Sequence, residues 1–212
     1  MPTPTASATR TRTATATRTG TATATAGATR THAVSGTILY YRGGNPVAGV
    51  SIELQGPSTT TVTSAADGQY AASVPDAGWT VAPRKSGDER GARSALDAAY
   101  VLQAIAGTRT LDAQQLLAGD VTGDGTLSPL DATRILQLVV GALPQFPAAQ
   151  QCGSDWLFLP VPAGAANQSV AAPNPSAAMC ERGAITFSPL TADAAGQDFQ
   201  AVLIGDVTGN WQ

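Results

Sequence analysis

Chemically reactive side chains are scarce in this sequence. It contains one histidine, His32, one lysine, Lys85, and two cysteines, Cys152 and Cys180. A serine or cysteine nucleophile would therefore have no credible base close to it in the sequence. Glycine-rich phosphate loops and dinucleotide fingerprints are also missing. The sequence predicts a protein that is not an enzyme.

Aromatic and charged residues are few as well, at 5% and 13% of the chain. The hydrophobic core must therefore be built mostly from Val, Leu, Ile and Ala. No run of eighteen apolar residues occurs, so no membrane-spanning helix is expected. No signal peptide is visible at the N-terminus either, so an exported protein would be represented here by a mature form or a fragment.

Charge is divided unevenly along the chain. Residues 1–31 contain four arginines and no acidic residue, whereas residues 32–212 contain eight basic and fifteen acidic residues, a net charge of −7. An acidic body suits the binding of cations and argues against nucleic acid as a partner.

The first thirty-one residues form a low-complexity tail. From Thr3 to Thr31 every odd position is threonine, except Ser7 and Gly27. One interpretation is a disordered stalk that carries O-glycans on its threonines, because Ala and Thr bury too little apolar surface to fold. The alternative is an extended strand, roughly 95 Å long at about 3.3 Å per residue, which would have to run across neighbouring subunits.

Residues 32–83 have the alternating pattern of a β-sandwich, with turn signals such as Asp67-Gly68 between the strands. The predicted strands are Val34 to Tyr41, Val47 to Leu54, Thr59 to Thr63, Gln69 to Val74 and Trp79 to Ala82. The pattern Val34-x-Gly36-x-Ile38, then Pro46-Val47-x-Gly49-Val50 and Asp67-Gly68-x-Tyr70, resembles the carboxypeptidase regulatory-like family. This resemblance covers about fifty residues. It implies a small transthyretin-like sandwich that serves as a spacer or binding module in exported bacterial proteins.

This sandwich is one strand short, which leaves an unpaired sheet edge. The missing strand can come from residues 148–212 of the same chain, so that residues 84–147 are an insertion. It can also come from the tail of a neighbouring copy, as in donor-strand complementation.

The twelve residues from Asp120 to Asp131 have the spacing of a calcium loop. Oxygen-bearing side chains stand at places 1, 3, 5, 9 and 12, glycine stands at place 6, and place 7 supplies a backbone carbonyl. Hard oxygen ligands without His or Cys favour Ca²⁺ over softer metals. The predicted ligands are Asp120, Thr122, Asp124, Thr126, Ser128 and Asp131.

A related frame lies thirty-four residues upstream, from Ser86 to Asp97. It is degraded, because Ser86 replaces the aspartate of place 1 and Arg90 puts a cation at place 5. Either Asp88, Ser94 and Asp97 bind calcium weakly, or this frame is only structural.

The two frames and the segments after them resemble a pair of dockerin repeats. Leu96-Asp97-Ala98, Leu102-Gln103 and Gly107 recur as Leu130-Asp131-Ala132, Leu136-Gln137 and Gly141, with a short helix near Leu111 to Ala118 between the repeats. The resemblance implies a loop and one exit helix per repeat, and a cohesin-like protein as partner. Places 10 and 11, which often contact cohesin, are Ala95-Leu96 and Pro129-Leu130 here, so ordinary cohesin binding is not implied.

Both exit helices have apolar residues at helical spacing, which predicts that they are half-buried. We expect their leucines and isoleucines to form the core between the two helices. The residues concerned are Leu96, Tyr100 or Val101, Leu102 and Ile105, and Leu130, Ile135, Leu136 and Val139.

Residues 148–212 are predicted to be β-strand and loop. Strands are expected at Trp156 to Leu159, Ala184 to Phe187 and Phe199 to Ile204, and the two cysteines are expected to form a disulfide. Closing that loop contributes about 3 to 4 kcal/mol in the chain-entropy estimate.

A third copy of the motif occurs near the C-terminus, where Gly205-Asp206-Val207-Thr208-Gly209 repeats Gly119 to Gly123 without change. Asp206, Thr208 and Asn210 would supply places 1, 3 and 5, but no carboxylate follows at place 12. The segment is a truncated loop, a partial site that another segment completes, or a copied turn without metal.

Together these patterns predict a mostly β protein, a sandwich with a small α calcium-binding unit. We expect an extracellular, calcium-stabilised structural protein, a subunit of a cell-surface filament or sheath that its tail joins together. The alternatives are a cohesin-type docking module of a larger complex and a passive glycosylated spacer.

Overall fold

The computed structural model describes residues 1–3, 30–176 and 179–212. Within these ranges the chain forms two β-sheets and four short helices. The strands are β1 (Thr31–Tyr40), β2 (Ser51–Gln55), β3 (Thr59–Thr63), β4 (Gln69–Pro75), β5 (Ala77–Arg84), β6 (Trp156–Pro160), β7 (Gln168–Ala171), β8 (Ala184–Leu190) and β9 (Phe199–Leu203). The helices are α1 (Ala95–Ile105), α2 (Ala113–Gly119), α3 (Pro129–Val139) and α4 (Pro147–Cys152).

The prediction of a mostly β fold with a small helical part is confirmed. The predictions for the tail fall almost entirely outside the described residues, since the described part of the body begins at Arg30. No helix in the described ranges is long and apolar enough to cross a membrane.

Strands from both ends of the chain share each sheet. The strand order is β4-β1-β9-β6 in the first sheet and β3-β2-β5-β8-β7 in the second. Strand β9 lies between β1 and β6, parallel to β1 and antiparallel to β6. Strand β8 pairs with β5. The edge that the sequence left open is therefore filled by residues of the same chain, and the helical segment is an insertion between strands of one sandwich.

The sheets enclose the larger of two cores, and the helices lie over the outer face of β6 and β9. Along β6 the side chains alternate: Trp156 and Phe158 point into the sandwich core, whereas Leu157 packs among the helices. Ile204, just after β9, also belongs to the helical core. A strand with both faces covered has a continuous run of apolar residues in its sequence, such as Trp156-Leu157-Phe158.

The prediction that the apolar residues of the exit helices form the core is confirmed for Val101 and Ile135 and is wrong for the others. Helices α1 and α3 contact each other through Ala98, Val101, Ala132 and Ile135, which are all nearly fully buried. Leu102 and Leu136, by contrast, are 46% and 41% exposed. Small alanines let the two helices approach closely, so the larger side chains of each stripe are left on the outer surface. The exposed residues are Leu96, Leu102, Ile105, Leu130, Leu136 and Val139, which we call the apolar face.

The sequence did not predict β7 or α4. Strand β7 is four residues long and mostly exposed, and α4 spans only six residues. The disulfide between Cys152 and Cys180 is present, as predicted.

Candidate metal centre in two loop and helix units

The loop from Asp120 to Asp131 is organised around the carboxylate of Asp120. Its Oδ1 accepts hydrogen bonds from the backbone N–H groups of Gly123, at 2.8 Å, and Asp124, at 3.2 Å. Its Oδ2 accepts from the N–H of Gly125 at 2.8 Å. Gly123 and Gly125 have positive φ angles, which let the chain wrap tightly around the carboxylate.

Asp131 closes the other end of this loop from the first turn of α3. Its Oδ2 accepts from the N–H and the hydroxyl of Ser128, both at 2.9 Å, in the geometry of a capping box. Its Oδ1 accepts from the N–H of Thr122 at 3.0 Å and from the Thr122 hydroxyl at 2.9 Å. The ends of the loop are thus joined through two buried carboxylates.

Asp124 is exposed and is hydrogen-bonded within the loop. Its Oδ1 accepts from the N–H and the hydroxyl of Thr126, and these hydrogen bonds lower the pKa of Asp124. In the ranges that the structure describes, no three His, Cys, Asp or Glu side chains converge as metal ligands.

The upstream frame does not form a loop of its own. The carboxylate of Asp88 contacts Lys85 Nζ at 3.0 Å and Arg90 Nε at 2.8 Å. Partial burial opposes ionisation of Asp88, but the hydrogen bonds from Arg90 and Lys85 outweigh it and lower its pKa. Asp88 is therefore paired with the side chains of Lys85 and Arg90, and not with Asp97.

Asp97 instead meets the C-terminal motif. Its Oδ1 accepts from the N–H of Thr208 at 2.8 Å, as Asp131 accepts from Thr122. Its Oδ2 accepts from the N–H and the hydroxyl of Ser94, at 2.8 and 2.9 Å, as Asp131 accepts from Ser128.

Asp206 has the same role in this second site as Asp120 has in the loop from Asp120 to Asp131, which we call the continuous loop. Its Oδ1 accepts from the N–H groups of Gly209, at 2.8 Å, and Asn210, at 3.2 Å, and its Oδ2 accepts from the N–H of Trp211 at 3.1 Å. The hydroxyl of Thr208 donates to Asp206 Oδ1 at 3.1 Å. Residues 205–211 and 92–97 thus build a second loop from two distant parts of the chain, which we call the composite loop.

Place 7 of the composite loop is the carbonyl of Ala92, and it faces the side chain of Asn210. With Nδ2 turned inward, the amide donates to Ala92 O at 2.9 Å and to Asp206 Oδ1 at 3.2 Å. With the amide oxygen turned inward, three oxygens face one another, an arrangement that a bound cation stabilises. Ala92, Ser94 and Asp97 therefore complete the half-loop that Asp206, Thr208 and Asn210 begin.

The two loops differ in charge. The continuous loop has three aspartates, whereas the composite loop has two, with Asn210 at place 5. The buried guanidinium of Arg93 also lies close to the composite loop, where Nε donates to Ile204 O at 2.7 Å and Cζ lies 5.0 Å from the Phe146 ring centre. The Tyr40 hydroxyl donates to Asp206 Oδ2 at 2.6 Å. A divalent cation should bind the continuous loop more tightly, because it meets more negative charge there.

Burial opposes the ionisation of two of these carboxylates. It raises the pKa of Asp120 and of Asp97, and it raises the pKa of the neighbouring Tyr41 to about 12. Asp97 and Asp120 are largely buried, and a cation would offset the cost of their charge.

The pairing of the two half-loops was missed from the sequence, although a signal was present. The upstream frame has suitable ligands in its second half but lacks them at places 1 and 5. The C-terminal motif has ligands at places 1, 3 and 5 but lacks a second half. The two defects are complementary, but nothing in the sequence shows that segments about 110 residues apart lie together.

No protein family, characterised protein or solved structure matches this chain.

Proposed function

We propose that this chain is a non-catalytic, calcium-stabilised assembly protein of the cell exterior. The observation that carries the proposal is the pair of equivalent loop and helix units, one continuous and one composite, each ending in a buried aspartate of an exit helix. Calcium in each loop stabilises the folded protein, since the sites exist only when the chain is folded. The disulfide supports an oxidising location.

The apolar face supports binding to another protein. Its six side chains occupy equivalent positions on α1 and α3, thirty-four residues apart in each pair. Monomeric proteins rarely expose contiguous apolar patches larger than a few hundred Å² unless the patch serves binding. A docking module of a larger surface complex, with a protein partner that covers the apolar face, fits this surface better than a passive spacer does.

Calcium titration by calorimetry tests the proposal. After treatment with EDTA, the wild-type protein should bind two calcium ions. Asp120→Asn and Asp206→Asn should each remove or weaken one of them by at least about tenfold, because a ligand charge is lost while the side-chain shape is kept. Asp67→Asn, in an exposed turn, serves as the matched control. Unchanged titrations in both loop variants would overturn the proposal.

A homopolymer joined by the tail is the second candidate. Edge strand β3 (TTTVT) has exposed threonines at alternate positions, the same period as in the tail, and its outer edge is unpaired in the described sheet. Electron microscopy with calcium, with and without residues 1–31, tests this candidate. Filaments that vanish on deletion support it, and monodisperse particles in both samples exclude it.

A further inference from the structure

The continuous loop is held between two walls. One wall is α4, where the N–H of Ala148 donates to Val121 O at 3.1 Å. Ala148 also packs against the turn at Gly123, since a Cβ added at Gly123 would lie 3.2 Å from the Ala148 Cβ. The start of α4 therefore fixes the first half of the loop, next to Asp120.

The second wall is the segment Pro173–Ser176. A Cβ at Gly123 would lie 3.4 Å from Pro175 O, and a Cβ at Gly125 would lie 3.1 Å from Ser176 Oγ. The side chain of Asn174 shapes this segment, because its Oδ1 accepts from the N–H and the hydroxyl of Ser176. Both glycines whose N–H groups bind Asp120 are thus covered by this wall.

One covalent bond joins the two walls. Cys152 is the last residue of α4, and Cys180 lies beside Glu181, which forms two backbone hydrogen bonds with Asn174. On its α2 side the second wall borders a cavity of about 370 Å³ that reaches Asp120, so packing against α2 does not hold it in place there. The disulfide therefore keeps Pro173–Ser176 against the loop.

The composite loop has different surroundings. At Gly209 a Cβ would meet the side chains of Arg42 and Tyr41, and at Gly205 it would meet Phe146. Neither cysteine belongs to these contacts. Phe146 directly precedes α4, so the first wall contacts both loops, whereas the Pro173–Ser176 wall contacts the turns of the continuous loop. Freeing the second wall should therefore affect the continuous loop and leave the composite loop unaffected.

We propose that the Cys152–Cys180 disulfide positions the continuous loop for calcium, so that thiol-disulfide exchange sets the calcium affinity of this site alone. The inference rests on the proposed function. A reducing dithiol gives two electrons and two protons to the S–S bond, two cysteine thiols form, and the dithiol becomes a disulfide. The second wall is then free to leave Gly123 and Gly125, and the turn that presents Asp120 and Asp124 is no longer fixed.

Calcium titrations of the full chain test this coupling with each loop studied separately. In the Asp206→Asn background, which leaves the continuous loop intact, Cys152→Ser with Cys180→Ser should weaken calcium binding about tenfold, as loss of outer support does at metal sites. In the Asp120→Asn background the same pair of changes should leave the affinity of the composite loop unchanged. Treating the unmodified cysteines with dithiothreitol should reproduce both results.

Three outcomes would overturn the proposal. Equal affinities in the oxidised and cysteine-free proteins would show that the walls do not position the loop. An equal loss at both loops would show that the disulfide only supports the fold. Amide hydrogen exchange gives a readout without calcium. Reduction should speed exchange at Gly123 and Gly125 and leave exchange at Gly209 unchanged. An equal change at all three glycines would also reject the proposal. Absence of calcium binding in the oxidised protein would instead reject the proposed function itself.

Discussion

At the scale of single residues, the module depends on aspartates that lie in dry surroundings and accept many hydrogen bonds. Asp97, Asp131 and Asp206 are fully buried, and each accepts hydrogen bonds from backbone N–H groups of a loop. The sequence was sufficient to name all of these aspartates as candidate ligands, because the spacing of oxygen-bearing residues is a local property. It was insufficient to assign Asp97 and Asp206 to one site, because their pairing depends on the fold.

The raised pKa values of Asp97 and Asp120 predict how stability depends on pH without calcium. Burial makes the folded state hold these protons more tightly than the unfolded state does. Their favourable contribution is therefore complete below the ordinary pKa of 3.8 and is lost as the pH rises through the raised values. Calcium binds the ionised forms, so the rise in Tm on adding calcium should grow over the same interval.

Thermal unfolding in EDTA and in calcium, measured from pH 4 to pH 7, would check this expectation. Asp97→Asn and Asp120→Asn should each flatten the pH dependence in EDTA. Asp124→Asn is the matched control, because the pKa of Asp124 is lowered and its contribution is lost in the opposite direction, as the pH falls. A calcium effect of the same size at every pH would contradict the prediction.

At the scale of elements, the sequence predicted α1, α2 and α3 and placed Val101 and Ile135 correctly in the core, but it also assigned the exposed leucines to the core. Periodicity shows that a helix has an apolar stripe, but a stripe that runs around most of the helix has no unique inner side. The choice is made by close approach: Ala98 and Ala132 are buried where α1 meets α3, and the leucines do not fit there. Strand β7 was missed because four mostly exposed residues carry too little pattern to recognise.

This arrangement predicts that two neighbouring substitutions on α1 change the free energy of unfolding by very different amounts. Val101→Ala should lower the free energy of unfolding by about 2 kcal/mol, because Val101 is fully buried. Leu102→Gln, one residue further on, should change it by less than about 0.5 kcal/mol, because surface substitutions usually do. The pair Ile135→Val and Leu136→Gln repeats the comparison on α3, with a smaller loss at the buried position. Urea unfolding measures all four, and a large loss at either leucine would contradict the exposed apolar face.

At the scale of the whole molecule, the sandwich and the unit of loops and helices share one set of strands and cannot be separated by cutting the chain once. The first part of the sandwich was visible from alternation and turn signals, which are local. The parallel pairing of β1 with β9 was not visible, since the partners are about 160 residues apart and the sequence between them contains all four helices. The composite loop depends on the same long-range connection, because it follows β9 directly.

Removing residues 205–212 should therefore affect both parts of the molecule. The deletion takes away the buried Trp211, whose ring packs edge-on against Trp156 with centroids 5.1 Å apart, together with half of the composite loop. We expect a loss of about 4 kcal/mol in the free energy of unfolding and the loss of one calcium ion from the stoichiometry. Trp211→Phe in the full-length chain is the control, since it keeps Asp206 and both ions. Two ions bound by the truncated chain would rule out the composite loop.

The late position of Asp206 also governs when this protein can finish folding. A chain that is synthesised, or passed through a narrow channel, from its N-terminus presents β1 and α1 long before it presents β9 and Gly205. Until then β1 lacks its inner neighbour and α1 lacks the first half of its loop. Pairings of such long range form slowly because the closure of a large loop must come first. Asp206 therefore joins its loop only after β9 has paired with β1, so the sandwich and the composite loop are completed together and late in folding.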